Sequence, residues 1–102
     1  MLEDAAALQE AGAVLILLEA IPPEVSKAIV EESTVPIISI GAGPDCHGQL
    51  LISHDMLGFY DEFTPRFVKK YCNVSAILQK AFKEYAEDVK NGSFPEPRHN
   101  YN

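Results

Sequence analysis

Two aliphatic runs, VLILL at 14–18 and VPIISI at 35–40, constrain this chain most, because each is apolar without a break over the length of a strand. A strand with one wet face alternates apolar and polar residues, so an unbroken run predicts burial on both faces, as in a parallel sheet. The intervening segments support that reading. Residues 2–11, rich in Ala, Leu and Glu, predict a helix stopped at Gly12. Pro22 and Pro23 fit the first turn of a second helix, where a missing N–H costs little, and Val25, Ala28 and Ile29 then share one face. Pro36 falls near the start of the second run, where ladder pairing matters least. QLLIS at 49–53 is a shorter third strand candidate.

Downstream, 56–63 reads as a loop, and Thr64-Pro65 predicts a short helical turn over 66–71. The clearest helix spans 75–90, with Ile77, Leu78, Ala81, Phe82, Tyr85, Ala86 and Val89 as its apolar stripe and Asn91-Gly92 as its stop. Phe59, Tyr60, Phe63, Phe67 and Tyr71 are expected to pack against this last helix, an interface patch being the other reading. Residues 93–102, with two prolines and no periodicity, predict an irregular tail. Helices alternating with strands imply parallel strands joined by right-handed crossovers. Three strands make a narrow sheet with faces and edges left to cover. The expected fold class is therefore α/β, with residues 1–102 a single partial domain of a larger one.

Composition narrows the function. A net charge of −7 and a pI near 4.8 argue against nucleic acid and against an anionic membrane surface as partners. No apolar stretch approaches the ~20 residues of a membrane-spanning helix. MLEDAAALQE is acidic and helix-like, unlike a secretory signal, so a cytoplasmic location is expected. Cys46 and Cys72 are too few and too far apart for a disulfide framework or a C-x-x-C site, and read as reduced thiols.

In α/β folds ligands bind beyond the carboxyl ends of the strands, which picks out Glu19, the Gly-Ala-Gly turn at 41–43, and His54-Asp55. Glu19 ends the most apolar run of the chain, directly before Ala-Ile-Pro-Pro. It is either a solvated acid opening a loop or a general base tuned by the apolar strand it terminates. The 41–43 turn lacks the third glycine of a dinucleotide fingerprint and reads as a tight turn. His47 and His54, with Asp45 and Asp55, show no recognised ligand spacing, so no metal site is expected from this chain alone.

Taken together, LLEAIPPEVSKAI, PIISIGAGPDCHGQLLISHDMLGF, PRFVKKY and FKEYAEDVKNGSFPEPRHNY resemble the C-terminal part of the ketopantoate (3-methyl-2-oxobutanoate) hydroxymethyltransferase family. The resemblance covers nearly the whole chain in order, and 40–58 is its most specific stretch. His47 departs from the acidic residue expected before the glycine. The family fold is a (β/α)₈ TIM barrel, which typically needs about 250 residues. By resemblance this chain is about the last three βα units, with the final helix closing the barrel. The activity implied is transfer of a hydroxymethyl group from 5,10-methylenetetrahydrofolate, the cosubstrate, to 3-methyl-2-oxobutanoate. It gives 2-dehydropantoate on the way to pantothenate and coenzyme A. The implied cofactor is Mg²⁺, with its ligands expected in the N-terminal part of the family and none in this chain. Glu19 matches the family's proton acceptor. The resemblance further implies a homo-oligomer, often a decamer, and a chain inactive by itself. Two other readings stand beside it: a non-catalytic barrel segment acting only in assembly, and a free-standing α/β binding domain.

Overall fold

The computed structural model describes residues 1–60 and 62–101. Its sheet is formed by β1 (Ile16–Glu19), β2 (Ile37–Ile40) and β3 (Gly48–Gln49), in the order β1-β2-β3 and parallel throughout. Between β1 and β2 runs α2 (Pro23–Glu32), opened by its predicted prolines, and α1 (Leu2–Glu10) precedes β1. The chain is thus α/β with a three-stranded parallel sheet.

The register places Ile16 opposite Ile37, Leu18 opposite Ser39 and Glu19 opposite Ile40. Period-two alternation then sorts the faces. Ile16, Leu18 and Ile37 join Ala5 of α1, Ile29 of α2 and Ala42 in one apolar core, whereas Leu17 is 47% exposed and Glu19 is exposed. Both helices cover the same side of the sheet. This corrects the expectation that 14–18 is buried on both faces: the run is apolar throughout, but within this chain only one side of it is covered. Val14 and Leu15 lie ahead of the strand and are exposed.

A side chain locks the two helices together. The Gln9 amide donates to the Ala5 carbonyl and to Ser33 Oγ (3.3 Å each), and its Oε1 accepts from the Thr34 N–H (2.9 Å) and Oγ1 (3.2 Å). Residues 41–47 return the chain from β2 to β3 without a helix. Ala42 is fully buried in the core and Cys46 packs against it, so this loop takes the place of a crossover helix.

The third strand is shorter than expected. Pairing stops after Gln49, and Ser53–Met56 coils into a short helix, α3, so 49–53 is not a strand and His54-Asp55 is not at a strand end. Among the described residues no strand pairs with the outer edge of β3, and an edge without a second neighbour gives little reason to extend the ladder. Residues 66–71 form a turn at 66–67, closed by the Val68 N–H on the Pro65 carbonyl, and not a helix.

The long helix, α4 (Val74–Asn91), forms as its pattern predicts, with Asn73 Oδ1 accepting from the Ala76 N–H at 3.2 Å and Gly92 beyond its end. Its apolar stripe is exposed, however, with Ile77 at 64% and Phe82 at 70%. The aromatic residues expected to cover it do not: Phe59, Tyr60, Phe63 and Tyr71 are themselves exposed. Leu57 and Gly58 hold its first turn through their carbonyls. The tail folds onto its other end, with Phe94 5.7 Å from the Tyr85 ring and 5.1 Å from that of His99, ahead of a 3-10 turn at Pro97–His99. The radius of gyration, 22.6 Å, exceeds the value of about 13 Å for a compact chain of this length. Among the described residues no helix is long and apolar enough to cross a membrane.

Candidate active site

The carboxyl ends of the three strands converge on one region. β1 ends at Glu19, which is exposed on the sheet face that α1 and α2 leave open, beside buried Ile40 of β2. The next residue, Ala20, has φ of 52°, a left-handed conformation that a residue with a Cβ adopts at a cost of about 1–2 kcal/mol. The Ala20 N–H donates to the Ile40 carbonyl at 3.0 Å, so this turn is fastened to the end of β2. A side-chain-bearing residue held in such a conformation marks a place where the surroundings dictate the backbone. Here the consequence is a fixed position for the end of β1. Among the described residues the Glu19 carboxylate makes no ion pair or hydrogen bond, which leaves both of its oxygens free to accept a proton.

The end of β2 is fixed differently. Buried Ser39 accepts from the Ala42 N–H through Oγ (2.9 Å), and Gly41 (φ 69°) and Gly43 (φ 87°) turn the chain. Space demands glycine as much as the backbone does. A Cβ on Gly41 would collide with the Phe67 ring, and one on Gly43 would come within 2.8 Å of Pro23. The 41–43 turn is therefore a packing turn, in keeping with the simpler reading of its sequence.

Phe67, lying against Gly41, separates two open clefts at this end of the sheet. One, of about 640 Å³, lies among residues 20–23, Gly41, Arg66 and Phe67 and so begins directly beside Glu19. The other, of about 560 Å³, is lined by Gly41, Gly43, Pro44, residues 49–51, Phe67 and Tyr71. Both are of the size that small-molecule sites occupy.

The histidines are elsewhere. His47 donates its N–H to the Ile37 carbonyl and accepts the Ile37 N–H on Nδ1 (2.9 Å each), which pins it to the amino end of β2, opposite Glu19. His54 sits in α3 with its ring 4.8 Å from that of Phe59. Neither joins Glu19. Among the described residues no group of three or more His, Cys, Asp or Glu side chains could hold a metal ion, so these residues do not by themselves fit Mg²⁺. Burial pushes the Cys46 thiol up, with the Asp45 charge adding to the effect, which keeps this cysteine protonated.

Reading the sequence missed Arg66 and Phe67 as parts of this region, because 66–71 scanned as a helical turn. It also missed Ser39, although a lone hydroxyl in an aliphatic run three residues before a turn N–H was a usable signal.

A family model described as ketopantoate hydroxymethyltransferase matches residues 1–97. A 3-methyl-2-oxobutanoate hydroxymethyltransferase from Alkaliphilus metalliredigens is 54% identical over 101 residues, covering 99% of this chain and 36% of the relative. Relatives of the same name from Syntrophobacter fumaroxidans and Chloroflexus aurantiacus are each 50% identical, over 99% and 97% of this chain and 36% and 35% of their own lengths. The chain thus spans a little over a third of the curated relatives it matches. With a match along nearly its whole length and half its residues shared with these enzymes, the chain belongs to the ketopantoate hydroxymethyltransferase family.

Proposed function

We propose that this chain supplies the last βα units of a (β/α)₈ barrel that transfers a hydroxymethyl group from 5,10-methylenetetrahydrofolate to 3-methyl-2-oxobutanoate, with Glu19 as the general base. The observation that carries the reading is the position of Glu19: at the carboxyl end of β1, on the sheet face that α1 and α2 leave open, with a carboxylate that has no partner among the described residues. In a closed barrel that face is the interior and that end is the catalytic mouth. The C3–H of 3-methyl-2-oxobutanoate is adjacent to the keto carbon, so its loss gives an enolate. Glu19 takes that proton on a carboxylate oxygen. C3 then forms the new bond to the one-carbon unit as that carbon's two C–N bonds to folate break, and water supplies the hydroxyl oxygen. Tetrahydrofolate leaves with one hydrogen from water and the proton that Glu19 took from C3 on its two nitrogens. The Mg²⁺ implied by the family resemblance would draw its ligands from residues other than these.

The test uses a full-length chimera in which this segment replaces the corresponding third of the Alkaliphilus metalliredigens relative. Glu19→Gln keeps the shape but removes the proton acceptor. Its kcat should fall about 10²–10⁴-fold while the KM for 3-methyl-2-oxobutanoate changes little. A kcat within threefold of the parent chimera would reject Glu19 as the base. The exposed stripe of α4 favours a second reading, a segment serving only in assembly. That reading predicts full activity in the Glu19→Gln chimera.

A further inference from the structure

The cleft beside Glu19 is lined by a cation that has no partner among the described residues. Among the described residues Arg66 makes no ion pair and no hydrogen bond, although it lines the 640 Å³ cleft with residues 20–23, Gly41 and Phe67. Its neighbours in sequence are also basic but are otherwise engaged. Lys69 Nζ lies 4.9 Å from the Tyr71 ring centroid, and Lys70 Nζ donates to the Tyr60 carbonyl at 3.3 Å. These three account for three of the eight basic residues of a chain whose net charge is −7, and all three follow Pro65 within five positions. A positive segment in an acidic chain, placed at the carboxyl ends of the strands, fits an anionic ligand.

The rest of the wall limits which anion. Ile21, Pro22, Pro23 and Phe67 present rings and aliphatic carbon, so the cleft offers apolar surface with one guanidinium at its side. A five-carbon oxo acid would fill little of it. An aryl group joined to a carboxylate uses both features, because the ring packs on proline and phenylalanine while the guanidinium takes the carboxylate in a bidentate pair. We infer that Arg66 recognises a carboxylate of the glutamyl tail of the folate cosubstrate, with the aminobenzoyl ring against Pro22, Pro23 and Phe67. This rests on the hydroxymethyl transfer proposed above. The cleft begins one residue beyond Glu19, so a donor lying in it is near the carbon that Glu19 deprotonates.

Two ligands present carboxylates to this site, the folate tail and the oxo acid, and two measurements on the chimera separate them. The first is the KM for 5,10-methylenetetrahydrofolate carrying one or three glutamates. The second is the KM for 3-methyl-2-oxobutanoate in folate-free exchange of its C3 hydrogen with deuterium. Arg66→Ala should raise the folate KM about tenfold, the lower end for a hydrogen bond to a charged group because the residue is exposed. It should also shrink the preference between the two tails. Arg66→Lys, which keeps the charge and loses the fork, should recover part of the loss. The oxo-acid KM should stay within twofold. An unchanged folate KM in Arg66→Ala overturns the assignment, and so does a comparable rise in the oxo-acid KM, which would give Arg66 to the substrate carboxylate. Failure of the Glu19 reading appears separately, as wild-type exchange in Glu19→Gln.

Discussion

α2 and α4 are both amphipathic helices, and the structure treats them oppositely. α2 buries Ile29 to 1% exposure and Ser26 completely against the sheet, whereas α4 leaves Phe82 70% exposed along a stripe of the same kind. An apolar stripe states that a helix requires a cover; it does not state that the cover belongs to the same chain. β1 shows the same division, covered on the side of Ile16 and Leu18 and open at Leu17 and Glu19, although Ile40 beside Glu19 on β2 is buried. The body formed by α1, β1, α2 and β2 covers its own core on one side, while α4 and the Leu17 side of β1 are left exposed within this chain.

The sharpest way to break that contrast is a pair of truncations. In the 102-residue chain Ile37→Ala should lower stability by about 2–5 kcal/mol, enough to unfold a small body, and circular dichroism during a urea titration reads the loss. Phe82→Ala in the same chain should stay within about 0.5 kcal/mol, as an exposed substitution does. In the full-length chimera Phe82→Ala should instead cost about 3 kcal/mol, because there the stripe has its cover. Equal costs for the two truncations in the isolated chain would mean that α4 is covered without help.

A smaller effect probes the junction at the strand ends. Gly41→Ala places a methyl group against Phe67 at a left-handed φ, so it should destabilise the chimera by about 1–3 kcal/mol and raise the folate KM by displacing the cleft wall. The smallest concerns Ala20. Glycine relieves about 1–2 kcal/mol of left-handed strain but returns about 0.4–1 kcal/mol of freedom to the unfolded chain. Ala20→Gly should therefore raise stability by up to about 1.6 kcal/mol in thermal melts. A loss would mean that the Ala20 conformation is not the strain-bearing element of this turn.

How legible these features were in the sequence depended on the range of the interaction behind them. Local rules located α1, α4 and the start of α2 to within a residue or two, because Gly12, Asn91-Gly92 and Pro22-Pro23 act on their own backbone. The strands were placed less well. Val14 and Leu15 are as apolar as Ile16, and only pairing with β2 decides where β1 begins. QLLIS looked like a strand from composition, but Gly48–Gln49 alone finds a partner. Glu19 was visible because it interrupts an apolar run. Arg66 was not, because nothing local marks a surface arginine as lining a cleft with residues 20–23, more than forty positions earlier in the chain.

The most direct test of the account is proton exchange at C3 of 3-methyl-2-oxobutanoate in heavy water, followed by NMR in the full-length chimera without folate, so that proton abstraction is observed apart from carbon transfer. The parent chimera should exchange the C3 hydrogen, and Glu19→Gln should slow that exchange about 10²–10⁴-fold. Exchange by Glu19→Gln at the parent rate would contradict the account and leave Glu19 an ordinary acid at the end of a strand.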